Sequence, residues 1–239
     1  MRKLLLLNGP ANCGKNIATD MIKAEVEFAK DFRCKDKLYS LVMELFSVPS
    51  SEFWRIYNNR ALKESPSSFF KVNITAWVEL SEYLDYNYFK TVERAKVKDV
   101  LSFQNNLHHN PEFKIRLTIR EAMIYVSEII CKPVLGYDYF GQARILALSQ
   151  YNKEKSVIAL DDSCGFADEL PPAIQALGQD NIMLIRVKGR GTFEGDSRSY
   201  IPNGVIDNTF DVYNDADEET YKEKVGLLVR RFLKDVYKS

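Results

Sequence analysis

Two kinds of hydrophobic run alternate along this chain. Leu4–Leu7, Val157–Leu160 and Ile182–Ile185 are apolar at every position. Neighbouring side chains of a strand point to opposite faces, so such runs predict strands buried on both sides. Val26–Ala29 and Phe210–Asn214 are shorter strand candidates. Elsewhere apolar residues recur every three or four positions, which is the spacing of one helix face. Ile17, Met21 and Ile22 predict a short helix to about Lys23, and Leu38, Leu41, Val42, Leu45 and Phe46 predict one over Lys37–Phe46, stopped by Val48-Pro49-Ser50-Ser51. Ile115, Ile119, Met123, Val126, Ile129 and Ile130 read as the stripe of a single helix over Phe113–Lys132. Gln142–Gln150, Pro171–Leu177 and Glu218–Tyr237 complete the set, the last capped by Asp215–Asp217.

The alternation of strand and helix breaks between Ser51 and about Pro111. Trp54, Tyr57, Phe69, Phe70, Trp77, Tyr83, Tyr86, Tyr88, Phe89 and Phe103 lie there among lysines and glutamates, with helical pieces and few parallel-strand signals. This stretch reads as part of an insertion. We expect a core of residues 1–33 and 151–239 and a mainly helical insertion over 34–150. Its aromatics, Trp54 among them, either stack on a bound base or fill the interior of a small helical subdomain. The two histidines, His108 and His109, are adjacent and have no cysteine or acidic partner at zinc-ligand spacing.

The first apolar run leads into Asn8-Gly9-Pro10-Ala11-Asn12-Cys13-Gly14-Lys15-Asn16-Ile17. A buried strand, a turn bracketed by glycines, a Gly-Lys step and a helix together predict a loop that wraps a polyphosphate. Gly9 and Gly14 leave four residues between them to curl round an anion with their N–H groups inward. Lys15 then lies along the outer phosphates, and the helix opening at Asn16 adds the positive end of its dipole. The alternative is an ordinary glycine-rich strand-to-helix turn. Asn16 stands where a serine or threonine hydroxyl usually ligates magnesium, so the metal would have to accept an amide oxygen there. Cys13 reads either as a thiol beside a helix N-terminus or as a small residue that fits the turn.

Composition narrows the setting. With 33 basic and 33 acidic side chains there is no global field to draw the chain to nucleic acid or an anionic membrane, so an anion site has to be built locally. The hydrophobic share of 46% is ample for a core. Cys13, Cys34, Cys131 and Cys164 show no close pairing and the chain opens on a strand, which predicts a reduced, cytoplasmic protein without a membrane span.

Three further groups bear on chemistry. Asp161, Asp162 and Ser163 tip the strand Val157–Leu160, where a carboxylate can hold a magnesium-bound water; capping or turn formation is the plainer use. Arg116 and Arg120, four apart on the expected helix, either grip a phosphate or pair with Glu112 and Glu121. The stretch Lys188–Tyr200 has three glycines and two arginines, Arg190 and Arg198, and reads as a lid over about 188–204 or as a surface loop.

The phosphate loop, Thr118-Ile119-Arg120-Glu121-Ala122-Met123 with Tyr137-Asp138-Tyr139-Phe140, and the block from Val157 through Asp161-Asp162-Ser163 and Asp196-Ser197-Arg198 to Tyr213-Asn214-Asp215 resemble bacteriophage deoxynucleoside monophosphate kinases. The similarity covers the first ~45 residues and Arg116 onward, and its most specific part is the phosphate loop. In that family the residue after the loop lysine is acidic, whereas Asn16 is neutral. The resemblance implies an α/β fold of P-loop nucleoside monophosphate kinase type, with a parallel sheet, helices on both faces, a helical acceptor-binding insertion and a lid. It implies transfer of the ATP γ-phosphoryl to a deoxynucleoside monophosphate in nucleotide supply for phage DNA synthesis. ATP would sit on Gly9, Asn12, Cys13, Gly14, Lys15, Asn16 and Ile17, with its adenine near Asn214. Mg2+ would be held by Asn16, Asp161 and Asp162. The acceptor would meet Arg116, Arg120, Asp162, Ser163 and Trp54, and Lys15, Arg120, Arg190 and Arg198 would act on the transferring group. No stable nucleic-acid partner is implied, and oligomeric state is open, a homodimer included. Two rival readings are a kinase acting on a modified base in DNA and a nucleotide-binding module without turnover.

Overall fold

A computed structural model describes residues 2–73, 114–151, 157–194 and 198–234. The chain divides into two compact units, one of Met1–Lys37 with Tyr137–Ser239 and one of Leu38–Gly136. In chain order it begins with β1 (Arg2–Asn8), α1 (Lys15–Glu25), β2 (Ala29–Asp31) and α2 (Cys34–Leu45). Then come α3 (Ser50–Asn58), α4 (Arg60–Lys63), β3 (Lys71–Asn73), β4 (Lys114–Arg116), α5 (Ile119–Ile124), a π-helical stretch Tyr125–Cys131 and α6 (Lys132–Leu135). The chain returns through α7 (Tyr139–Gln150), β5 (Val157–Asp161), α8 (Pro171–Leu177), β6 (Ile182–Lys188), β7 (Asn208–Tyr213) and α9 (Glu218–Phe232). The expected strand over Val26–Ala29 begins only at Ala29, and α7, expected with the insertion, belongs to the sheet unit, where its Leu148 enters the core.

Five strands form one wholly parallel sheet in the order β2-β5-β1-β6-β7. β1 is central, and its Leu4 lies beside Ala159 on one side and Ile182 on the other. The leucine run splits by parity. Leu5 and Leu7 join Ile158, Leu160, Met183 and Ile185 on one face, under Ala18 and Ile22 of α1 and Tyr221, Val225 and Val229 of α9. Leu4 and Leu6 join Val157, Ala159, Ile182 and Leu184 on the other, against Leu148 of α7 and Ala173 of α8. Each leucine is at most 1% exposed, and burying one fully stabilises by about 1.5–3 kcal/mol. After β1 the chain turns first toward β2 and β5 and later toward β6 and β7, so the carboxyl end of β1 lies at the switch point where open parallel sheets form their crevice.

The Leu38–Gly136 unit departs further from expectation. The single helix predicted over Phe113–Lys132 does not form: Lys114–Arg116 is a strand paired antiparallel with Lys71–Asn73, Arg116 opposite Lys71. The helix starts later because Thr118 and Glu121 make a capping box. Thr118 Oγ1 accepts from the Glu121 N–H at 3.1 Å, and Glu121 Oε2 accepts from the Thr118 N–H at 2.7 Å. Helical turns then run through α5, the π-helical stretch and α6 to Gly136, whose φ of 101° suits glycine. Tyr39, Phe53, Trp54 and Tyr57 pack as an aromatic cluster, with the Tyr39 hydroxyl 2.6 Å from that of Tyr57. Trp77, Tyr83, Tyr86, Tyr88, Phe89, Phe103, His108 and His109 lie outside the described residues. Among the described residues no helix is long and apolar enough to cross a membrane.

Candidate functional site

The turn between β1 and α1 is a tight curl, and its glycines are required by their surroundings. A Cβ on Gly9 would sit 2.7 Å from the Val187 carbonyl oxygen and from Cys13 Sγ. Gly14 has a φ of 108°, and a Cβ there would lie 2.4 Å from Asn214 Nδ2. Asn12 also takes a left-handed φ of 62°, which asparagine tolerates better than most residues. The first backbone bond of α1 runs from the Ala18 N–H to the Gly14 carbonyl, so the N–H groups of Lys15, Asn16 and Ile17 at the helix start have no intrahelical acceptor.

Lys15 folds back across this curl, its Nζ donating to the carbonyls of Gly9 and Pro10 at 2.6 Å each. Burial, the largest influence, lowers its pKa; the charge of Arg198 acts in the same direction, while Cys13 and Asp162 oppose it. Arg198 and Asp162 thus stand within electrostatic reach of the loop lysine. The loop is braced from behind. Asn214 Nδ2 donates to the Cys13 carbonyl at 2.9 Å, and the Tyr221 hydroxyl donates to the Gly14 carbonyl at 3.2 Å. Asn214, expected beside a bound adenine, is 2% exposed and holds the loop instead.

At the end of β1, Asn8 is buried and joins three segments. Its Nδ2 donates to the carbonyls of Cys164 and Ser199 at 3.0 Å each, and its Oδ1 accepts from the Ile201 N–H at 2.9 Å. The base of the basic loop is thereby tied to β1 and to the turn after β5. On the other side of that loop, a Cβ on Gly191 would lie 2.2 Å from the Ala11 carbonyl oxygen, so only a glycine lets the two loops approach this closely.

The adjacent carboxylates at the tip of β5 have different environments. Asp161 is fully buried and accepts four hydrogen bonds, from Arg144 Nη1 at 2.8 Å, the Cys34 N–H at 3.2 Å, and both the N–H and the hydroxyl of Ser163. Burial works to raise its pKa, but the Arg144 charge and the bonds from Ser163 and Cys34 outweigh that and hold the carboxyl below the usual range. Expected as a magnesium ligand, Asp161 is instead an internal ion-pair partner whose acceptor positions are all taken. The Ser163 hydroxyl, expected at the acceptor, is likewise spent on Asp161. Asp162 meets Arg33 Nε at 2.9 Å and Lys35 Nζ at 3.7 Å. Its Oδ1 and the Arg33 Nε are in ionic contact without an aligned hydrogen bond.

Arg33 and Lys35 are not among the site residues named from sequence, although the sequence places Asp31–Arg33 at the carboxyl end of a strand, where α/β sites lie; in the structure Arg33 stands two residues after β2. The arginines named from sequence separate. Arg198 stacks its aliphatic chain on Gly165, where a Cβ would lie 2.6 Å from Arg198 Cβ, Cγ and Cδ, and it reaches Lys15 electrostatically. Arg190 donates to the Ala216 carbonyl at 2.8 Å, in the segment after β7. Arg116 and Arg120 do not stack on one helix face: Arg116 is exposed on β4, while Arg120 opens α5 and meets Glu64 Oε1 at 3.4 Å. Trp54 is 39% exposed on α3.

Among the described residues no three His, Cys, Asp or Glu side chains gather to hold a metal ion. Of the other residues named for magnesium, Asp162 is in ionic contact with Arg33 and Lys35, and Asn16 is exposed at the second position of α1. Neither a family model nor a curated protein matches the chain.

Proposed function

We propose that this chain is a P-loop kinase of the nucleoside monophosphate type, transferring the γ-phosphoryl of ATP to a deoxynucleoside monophosphate. The observation that carries the reading is the curl from Gly9 to Lys15, crossed by the Lys15 ammonium, which donates to the carbonyls of Gly9 and Pro10. Binding of a triphosphate would replace the Gly9 and Pro10 carbonyls with phosphate oxygens as the lysine's partners, and the N–H groups at the start of α1 would take the rest of the charge. An oxygen of the acceptor phosphate attacks Pγ while the bond from Pγ to the β–γ bridging oxygen breaks, releasing ADP. The acceptor phosphate is already ionised at neutral pH, so no general base is needed and catalysis rests on positioning and charge.

Arg198 is assigned to the transferring group. Arg33 and Lys35, gathered on Asp162, are assigned to the acceptor phosphate. Asn16 and Asp162 would hold magnesium, which neutralises charge developing on the β- and γ-phosphates. The test is an ADP-release screen across all deoxy- and ribonucleoside monophosphates, hydroxymethylated pyrimidines included, beside duplex DNA. Turnover with a free deoxynucleotide is the expected result, and turnover with DNA alone would move the acceptor from nucleotide to polymer. The exposed amide of Asn16, in place of a hydroxyl, favours a second reading, a binding module. ATP binding without phosphate transfer at saturating magnesium would establish that one.

A further inference from the structure

Arg144 and Asp161 form an ion pair at 2.8 Å that is 2% and 0% exposed, on α7 and at the tip of β5. Nothing in the proposed chemistry uses either side chain. A buried pair of this kind is a poor stabiliser, since apolar residues of similar size often do as well or better. Here the arrangement is also imperfect, because Arg144 Nε is buried without a hydrogen-bond partner among the described residues.

What the pair does achieve is local geometry. Asp161 accepts from the N–H of Cys34, the residue between Arg33 and Lys35, and from the N–H of Ser163, the residue after Asp162. One carboxylate therefore pins the chain between the two cations and just after the acid they contact. Arg144 orients that carboxylate, and its other arm donates to the Glu169 carbonyl at 3.2 Å. Its helix has no room to drift, because a Cβ on Gly141 would sit 2.2 Å from that same carbonyl oxygen.

We infer that Arg144 and Asp161 are positioning residues that set Arg33 and Lys35 to receive the phosphate of a nucleoside monophosphate. The inference rests on the phosphotransfer reading above. The donor loop has its own braces in Asn214 and Tyr221, so its backbone does not depend on the Arg144–Asp161 pair.

The experiment compares wild type with the double variant Arg144→Met/Asp161→Asn, which removes both charges together, and with Arg144→Lys, which keeps the charge but loses the fork. Calorimetry reads the Kd of each deoxynucleoside monophosphate and of a non-hydrolysable ATP analogue, and steady-state assays read the two KM values. In the double variant the mononucleotide Kd and KM should rise about tenfold or more while the Kd of the ATP analogue, measured without magnesium, stays within about threefold, and Arg144→Lys should fall between. Unchanged mononucleotide affinity, or equal loss of both ligands, in a folded variant overturns the inference. If the double variant does not fold, Arg144→Lys decides by the same selective rise or its absence. Wild type that binds ATP but no mononucleotide overturns the phosphotransfer reading and this inference with it. Wild type that binds both, with variants that match it, overturns the inference alone.

Discussion

The sheet unit and the Leu38–Gly136 unit hold their candidate functional groups in different ways. In the first, strands buried on both faces deliver the chain to the loops, and side chains such as Asn8, Asn214 and Asp161 spend their hydrogen bonds fixing loop carbonyls and N–H groups. In the second, aromatic rings meet edge to face, and the candidates stand at the surface, Arg120 with the exposed Glu64 and Trp54 on a short helix. The difference is between loops fixed by their own polar contacts and side chains left at the surface; on the proposed function the fixed loops are the part that takes phosphates, which are alike in every nucleotide.

The comparison can be broken by mutation, and the largest effect belongs to the cradle's support. Asp161→Asn leaves the buried Arg144 charge without its counterion and should cost about 3–5 kcal/mol in urea unfolding. Its pH dependence carries a sign. The folded carboxyl titrates below its unfolded value, so the pair's stabilisation is present above about pH 3.9 and is lost as pH falls through the lower folded value. The variant should lack that acid slope, and a wild-type slope retained in the variant would clear Asp161 of the role. Next, Lys15→Ala should lower kcat about a thousandfold, ~4 kcal/mol of transition-state stabilisation, with cooperative unfolding retained. Unchanged turnover would remove the loop from the mechanism.

Truncating one leucine in each unit tests the contrast directly. Leu6→Ala, at a fully buried position, should destabilise by about 3 kcal/mol, whereas Leu135→Ala, half exposed at the end of α6, should change stability by no more than about 0.5 kcal/mol. Equal losses would show that the second unit is packed as tightly as the first. Thr118→Ala should cost less than Leu6→Ala, about 1 kcal/mol with a loss of helical circular dichroism, because one capping bond starts α5. No loss of helicity would mean that the helix starts without its cap.

Much of the sheet unit was legible because its signals are local. A run such as Leu4–Leu7 can be satisfied only by burial on both faces, and the glycine spacing with Lys15 constrains the backbone whatever lies around it. Phe113–Lys132 was misread because Ile115 and Ile119 happen to fall at helical spacing, while the Thr118–Glu121 box that starts the helix lies between positions of the stripe. The strand before it has its partner at Lys71–Asn73, more than 40 residues away, and periodicity carries no information about such pairing.

By itself, then, the amino-acid order determined where chain direction and burial must change: the buried strands, the glycine-bracketed turn after β1, and the helices that cover the sheet. It could not assign the two acids at the tip of β5. Asp161 and Asp162 are chemically identical neighbours, and consecutive side chains at a strand end point to opposite sides. Only packing turned one inward to meet Arg144 and the other toward Arg33 and Lys35, because a charge's role is set by which groups come near it, and those groups arrive from distant parts of the chain.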